Sequence, residues 1–134
     1  MRKALLGTLC ALALAAASTR AEAATANFQG NCAWSGSNLN CVFDATKPSG
    51  SGSSCPAGTF ITNYFWGYGD VNDPSADGFT SSSFVSHTYT PPQDAAVQVQ
   101  LAVYCSNGTS ASTTRWICVS IGFPGCIHTG SGWN

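Results

Sequence analysis

Charged residues are scarce in this sequence, and positive charge is nearly missing. The 134 residues include five Lys or Arg and six Asp or Glu, and beyond residue 23 the only cations are Lys47 and Arg115. Nucleic acids and anionic membranes are bound through several basic contacts, so this shortage argues against both as partners. Residues 24–134 also lack glutamate. Their two cations and five aspartates give a net charge of −3, with few groups for acid–base catalysis.

Long hydrophobic runs are also missing, except at the N-terminus. Arg2 and Lys3 precede an apolar run from Ala4 to Ala17, which is too short to cross a bilayer as a helix. Residues 21–23 have the small-x-small form of a cleavage site. We predict a signal peptide over residues 1–23 and a secreted protein, periplasmic in a Gram-negative bacterium, with no membrane insertion after cleavage. An uncleaved anchor is the alternative.

No C-x-x-C pair occurs, although cysteine is frequent. Cys10 falls within the predicted signal peptide, which leaves six cysteines in the exported chain. These are Cys32, Cys41, Cys55, Cys105, Cys118 and Cys126. An even number in a small exported domain predicts three disulfides, and the two histidines are not spaced as zinc ligands beside them. The sequence alone leaves many connectivities open.

Helical periodicity is absent beyond residue 23, and period-two alternation is common. Ala96–Cys105 alternates most regularly, and Thr113–Ile121 is its return strand after an Asn-Gly turn. In Phe60–Tyr68 we expect Trp66 to face the core. The same alternation sends Phe60, Thr62, Tyr64 and Tyr68 inward and Ile61, Asn63 and Phe65 outward. Six or seven short strands with regular turn signals predict an antiparallel β-sandwich over residues 24–121 and a tail over 122–134.

Three motifs resemble those of the PKD domain family, immunoglobulin-like sandwiches common in secreted bacterial proteins. The family motifs are Tyr-x-Trp-x-Phe-Gly-Asp-Gly, then His-x-Tyr, then an alternating Val-x-Leu-x-Val strand that ends in Asn-Gly. The matching residues are Tyr64, Trp66, Gly69 and Asp70; His87 and Tyr89; and Val99, Leu101, Val103, Asn107 and Gly108. The likeness covers roughly Asn27 to Val119. Tyr68 and Val71 depart from the first motif, and the cysteines and the tail depart from the usual family pattern.

The resemblance implies a disulfide-linked, immunoglobulin-like β-sandwich of about seven short strands. It also implies a non-catalytic module that binds extracellular polysaccharide or protein. The strand order of such a sandwich brings the loop of Cys55 and the strand end of Cys105 together, so we expect a Cys55–Cys105 bond. Cys32 and Cys41 flank a short turn, so we pair them, which leaves Cys118 for Cys126.

The motif residues have structural interpretations. Tyr64 and Trp66 are expected to contribute to the core, and Gly69 and Asp70 to a turn in which the carboxylate accepts backbone N–H groups. Tyr89 resembles a tyrosine corner, with its hydroxyl bonded to nearby backbone. His87 has no recognisable nucleophile motif to serve, so we interpret it as a hydrogen-bonding residue and expect no enzyme.

Four oxygen-bearing side chains lie close together after the third strand: Asp70, Asn72, Asp73 and Asp77. Calcium is a possible ligand for this group, although the spacing is not that of an EF-hand and no glutamate completes it. Aspartate and asparagine are common turn residues, so we favour a turn without metal and expect no cofactor.

Three aromatic residues fall on the solvent side of their strands. If the strands of Phe65, Tyr104 and Trp116 share one sheet, these residues form an aromatic patch suited to sugar rings or to a protein. The alternative is that the tail covers the patch with Phe123 and Trp133. A second functional hypothesis is a secreted inhibitor or effector, with Val71–Gly78 as the loop inserted into an enzyme.

Overall fold

A computed structural model describes residues 22–47, 52–90 and 96–119. The fold is all-β, as predicted. Within these ranges the strands are β1 (Gln29–Ser35), β2 (Asn38–Asp44), β3 (Ile61–Gly67), β4 (Gly78–Thr80), β5 (Phe84–Tyr89), β6 (Ala96–Cys105) and β7 (Ser110–Cys118), and a 3₁₀ turn lies at Pro74–Ala76. No helix long and apolar enough to span a membrane occurs within these described ranges.

The strands form two antiparallel sheets, one in the order β1-β2-β5 and the other in the order β4-β3-β6-β7. The core lies between them. Each central strand turns alternate apolar residues inward, since successive side chains point to opposite faces. The largest fully buried side chains are Trp66, Tyr89, Phe28, Phe43, Leu39, Leu101, Ile117, Val99, Val103 and Cys41.

The beginning of β3 departs from the predicted alternation. A register shift between Ile61 and Asn63 inserts an extra residue, and Thr62 donates its hydroxyl to the Tyr104 carbonyl at 3.0 Å. Such a bulge reverses the facing of the residues before it. The inward assignment of Phe60 and Thr62 is therefore wrong, because both are exposed, and Ile61 instead packs against the core. Beyond the bulge the prediction holds for Trp66, which is buried.

Two disulfides join the described residues, and both have the predicted pairing. Cys32 and Cys41 are directly opposite in the β1–β2 pair, and Cys55 joins the loop before β3 to Cys105 at the end of β6. Cys118 is also disulfide-bonded, and its predicted partner Cys126 lies outside the described residues. Disulfides persist in oxidising compartments, so these bonds are compatible with an extracellular location.

Other predictions also fall outside the described ranges. Residues 1–21 contain almost all of the predicted signal peptide, and residues 120–134 contain the whole predicted tail, including Phe123 and Trp133.

Candidate functional site

The outer face of the four-stranded sheet carries all three residues singled out as ligand-binding. Alternation along β3, β4, β6 and β7 sends one set of side chains away from the core. These outward positions are Asn63, Phe65, Phe79, Gln98, Gln100, Ala102, Tyr104, Ser110, Ser112, Thr114 and Trp116. None of these residues is charged. We call this surface the outer face.

Three aromatic rings meet at one end of the outer face. Phe65 on β3 is directly opposite Phe79 on β4, with ring centroids 5.2 Å apart and planes inclined by 63°. The Phe79 ring also lies 5.6 Å from that of Tyr104 on β6, inclined by 51°. Phe79 is 67% exposed and Tyr104 38% exposed, whereas Phe65 is half-buried. We call Phe65, Phe79 and Tyr104 the aromatic cluster.

Trp116 lies on the outer face but outside this cluster. It is 63% exposed and opposite Gln98, whereas Tyr104 is opposite Ser110, six residues away along β7. At about 3.3 Å per residue this is a separation of about 20 Å along the strand. Of the three predicted residues, Phe65 and Tyr104 are therefore joined through Phe79, and Trp116 lies apart from them.

Phe79 was not predicted as a binding residue from the sequence. β4 has only three residues, Gly78–Thr80, which is too short for its alternation to be read from sequence. Its pairing with β3 is what sets Phe79 against Phe65.

One acidic side chain borders the outer face. A Cβ built on Gly67, the last residue of β3, would meet the Phe65 ring at 3.5 Å, Asp77 Oδ2 at 3.6 Å and Cβ of Gln100 at 3.6 Å. The Asp77 carboxylate thus lies over Gly67, beside the aromatic cluster. Its other oxygen, Oδ1, accepts the Tyr68 backbone N–H at 2.7 Å, which fixes its position.

The two cations of the predicted mature chain lie elsewhere. Arg115 points to the inner side of β7, where its guanidinium lies 5.6 Å from the Phe28 ring centroid and donates to Asn27 Oδ1 at 2.8 Å. Lys47 follows β2 in the other sheet. Within residues 22–47, 52–90 and 96–119, the outer face and its border therefore carry a single carboxylate and neither of these cations.

Asp70 and His87 form a buried pair between the sheets. The carboxylate and imidazole side chains are 2% and 7% exposed, and His87 Nε2 lies 2.8 Å from Asp70 Oδ2. Asp70 Oδ1 accepts backbone N–H groups from Asn72 at 2.9 Å and Asp73 at 3.3 Å, which is the turn role expected of it. The His87 ring stacks on Tyr68 with centroids 4.2 Å apart and planes inclined by 9°. This packing gives His87 a structural role, and the pairing with Asp70 was not foreseen.

Tyr89 connects the two sheets by a hydrogen bond. Its buried hydroxyl donates to the Tyr68 carbonyl at 2.8 Å. A tyrosine corner bonds to backbone a few residues upstream, whereas this bond reaches a residue 21 positions away that follows a strand of the opposite sheet. Burial, with the nearby Asp70 carboxylate, raises the pKa of Tyr89 well above its ordinary value.

Gly69 is required by the backbone between Tyr68 and Asp70. Its φ of +64° lies in the left-handed region, and a Cβ there would be 2.6 Å from the Gln98 carbonyl oxygen. A side chain at this position would push β6 away from the turn.

The four side chains considered for calcium take part in hydrogen bonds around this loop. Asp73 Oδ1 accepts the Ser75 hydroxyl at 2.7 Å, and the Asn72 side chain donates to the Thr90 carbonyl at 2.9 Å. Within the described ranges no three His, Cys, Asp or Glu side chains come together as a metal site would need.

The chain matches no protein-family model, and a search of curated proteins finds no significant similarity.

Proposed function

We propose that this protein is a secreted, non-catalytic PKD-like module that binds extracellular polysaccharide or protein through the outer face. The observation that carries the proposal is the aromatic cluster, in which Phe79 is 67% exposed beside Tyr104. Apart from Ala102 and Trp116, the other residues of the outer face are polar. Exposed aromatic groups with polar neighbours are typical of binding surfaces.

The position of the aromatic cluster on paired strands favours a role in ligand binding over exposure without a function. Its three rings stand on three neighbouring strands, and Ala102, which is opposite Phe65 on β6, is 8% exposed. Binding groups on strands are held more precisely than groups on loops. The predicted signal peptide and the disulfides agree with a role outside the cytoplasm.

A second candidate, an inhibitor or effector of an extracellular enzyme, is favoured by the loop Val71–Gly78. Val71 is 64% exposed, and the hydrogen bonds to Asp70 and Asp77 hold both ends of the loop. A preorganised loop loses little entropy on binding. The Pro74–Ala76 segment is a 3₁₀ turn, however, and does not supply the extended backbone that fits a protease cleft.

The test is retention of the oxidised protein on insoluble polysaccharides, with inhibition of a panel of secreted proteases measured in parallel. We expect retention that falls in Phe79→Ala but not in Phe84→Ala, because Phe84 is similarly exposed, at 55%, on the other sheet. Protease inhibition that is lost in Val71→Gly and kept in Phe79→Ala would move the function to the loop. No binding to glycan or protein would refute the proposal.

A further inference from the structure

We propose that the ligand is an uncharged polysaccharide chain that runs obliquely across the outer face from the aromatic cluster to Trp116. This inference rests on the proposed function and goes further by naming the class of ligand, its path and a second contact point.

The spacing of the exposed rings defines the path. Phe79 on β4 is opposite Phe65 on β3, Phe65 is opposite Ala102 on β6, and Ala102 is opposite Ser112 on β7. Trp116 lies four residues beyond Ser112 along β7. Three strand spacings of about 4.8 Å and four residues of about 3.3 Å place the two rings about 20 Å apart. Only a ligand of several linked sugars, or a much larger surface, contacts both.

The residues between the rings have the chemistry of a sugar-binding surface. Gln98 and Gln100 lie on β6 along this diagonal, and Thr114 is opposite Gln100 on β7, all of them exposed. Amides and hydroxyls both donate and accept hydrogen bonds, as sugar hydroxyls do. Aromatic faces at either end suit the apolar C–H faces of sugar rings. Asp77 Oδ2, beside Phe65, adds an acceptor for a hydroxyl.

The charge of the outer face selects among polysaccharides. Among the residues that the structure describes, Asp77 is its one bordering charge, and both cations of the predicted mature chain lie elsewhere. A uronic acid or sulfated chain would meet a carboxylate with no compensating base in the part of the chain that the structure describes. Like charges repel and a desolvated unpaired charge is costly, so the matching ligand is uncharged.

The distribution of aromatic groups distinguishes a glycan from a protein partner. Protein interfaces concentrate aromatic anchors near the centre and surround them with a polar rim. Here the centre is polar and the aromatic groups lie at the two ends, about 20 Å apart. This arrangement fits a narrow chain better than a second globular surface.

The experiment measures affinity for soluble uncharged polysaccharides (xylan, mixed-linkage β-glucan, galactomannan and starch) by affinity electrophoresis, with polygalacturonate as the charged comparison. Oligosaccharides of increasing length from the best polymer are then titrated calorimetrically. We expect Phe79→Ala and Trp116→Ala each to weaken polymer binding about tenfold, which corresponds to about 1.4 kcal/mol. Phe84→Ala serves as the matched control, and circular dichroism checks that all variants fold.

The length series tests the path itself. We expect affinity to rise with oligosaccharide length and to level off once the chain spans both rings, and Trp116→Ala to remove only the gain of the longer chains. Equal binding of short and long chains, or no effect of Trp116→Ala, would overturn the inference.

Two outcomes separate this inference from the proposed function. Binding to polygalacturonate or to a protein, lost in Phe79→Ala, would leave the proposed function standing and overturn the choice of an uncharged glycan. Failure to bind any polysaccharide or protein would overturn both.

Discussion

The two disulfides among the described residues close loops of very different length, and this difference predicts unequal contributions to stability. Cys55 and Cys105 are separated by 50 residues, whereas Cys32 and Cys41 are separated by 9. If a disulfide acts by restricting the unfolded chain, loop-closure entropy gives about 4 kcal/mol for the long loop and about 2.5 kcal/mol for the short one at 25 °C. Removing the long-range bond should therefore cost about 1.5 kcal/mol more.

The two disulfides are similarly buried in the native structure, so their removal can be compared directly. Each pair has one buried member, Cys41 or Cys105, and one half-buried member, Cys32 or Cys55. Replacing both members of a pair by alanine thus removes similar buried groups, so that the cost of lost packing largely cancels in the difference between the two variants.

The assay is urea unfolding of the two double-alanine variants and the parent protein, followed by tryptophan fluorescence and circular dichroism. The midpoint and slope give the free energy of unfolding, and an unchanged slope supports comparison of the variants. Equal losses, or a larger loss for the Cys32/Cys41 variant, would show that strand pairing rather than chain entropy dominates these bonds and would refute the reasoning.

Three further predictions concern the buried polar groups and the acidic loop. Asp70→Ala should lower the free energy of unfolding by about 3–5 kcal/mol, because it leaves His87 and two backbone N–H groups without their acceptor. Asp73→Ala is the exposed control. Urea unfolding curves that coincide for the two variants would contradict this prediction. The raised pKa of Tyr89 means that the unfolded chain loses its phenolic proton first, so stability should hold below about pH 10 and fall above it. Tyr89→Phe should flatten that alkaline fall in denaturation measured against pH, and an unchanged slope would exclude Tyr89 as its cause. Calcium should leave the melting temperature unchanged, since Asp70 and Asp77 already accept backbone N–H groups, and a calcium-dependent rise in calorimetry would point to a metal site.

The sequence predicts features that depend on local pattern. The alternation of β6 and the burial of Trp66 follow from period-two spacing, and the paired strands place Cys32 opposite Cys41. Such alternation predicts the facing of a strand because a one-residue shift in its pairing would turn every apolar side chain to solvent.

The Cys55–Cys105 bond was expected from the resemblance, but three other features that depend on long-range pairing were not predicted. The bulge at Thr62 reverses the facing of Phe60, and nothing in the local composition indicates where an extra residue enters a strand. The Asp70–His87 contact joins positions 17 residues apart, and which residue Asp70 contacts depends on how the two sheets pack. Phe79 joins Phe65 only because a three-residue strand pairs with β3.

The sandwich is fastened at both ends of β3, and this has a mechanical consequence. At one end Tyr89 and His87 of one sheet are bonded to Tyr68 and Asp70 after β3. At the other end Cys55 ties the loop after β2 to β6, and Ser53 of that loop donates its N–H to the Ala45 carbonyl. Sliding one sheet over the other would break both fastenings at once. We therefore expect the sheet that carries the outer face to keep its shape in the binding proposed above.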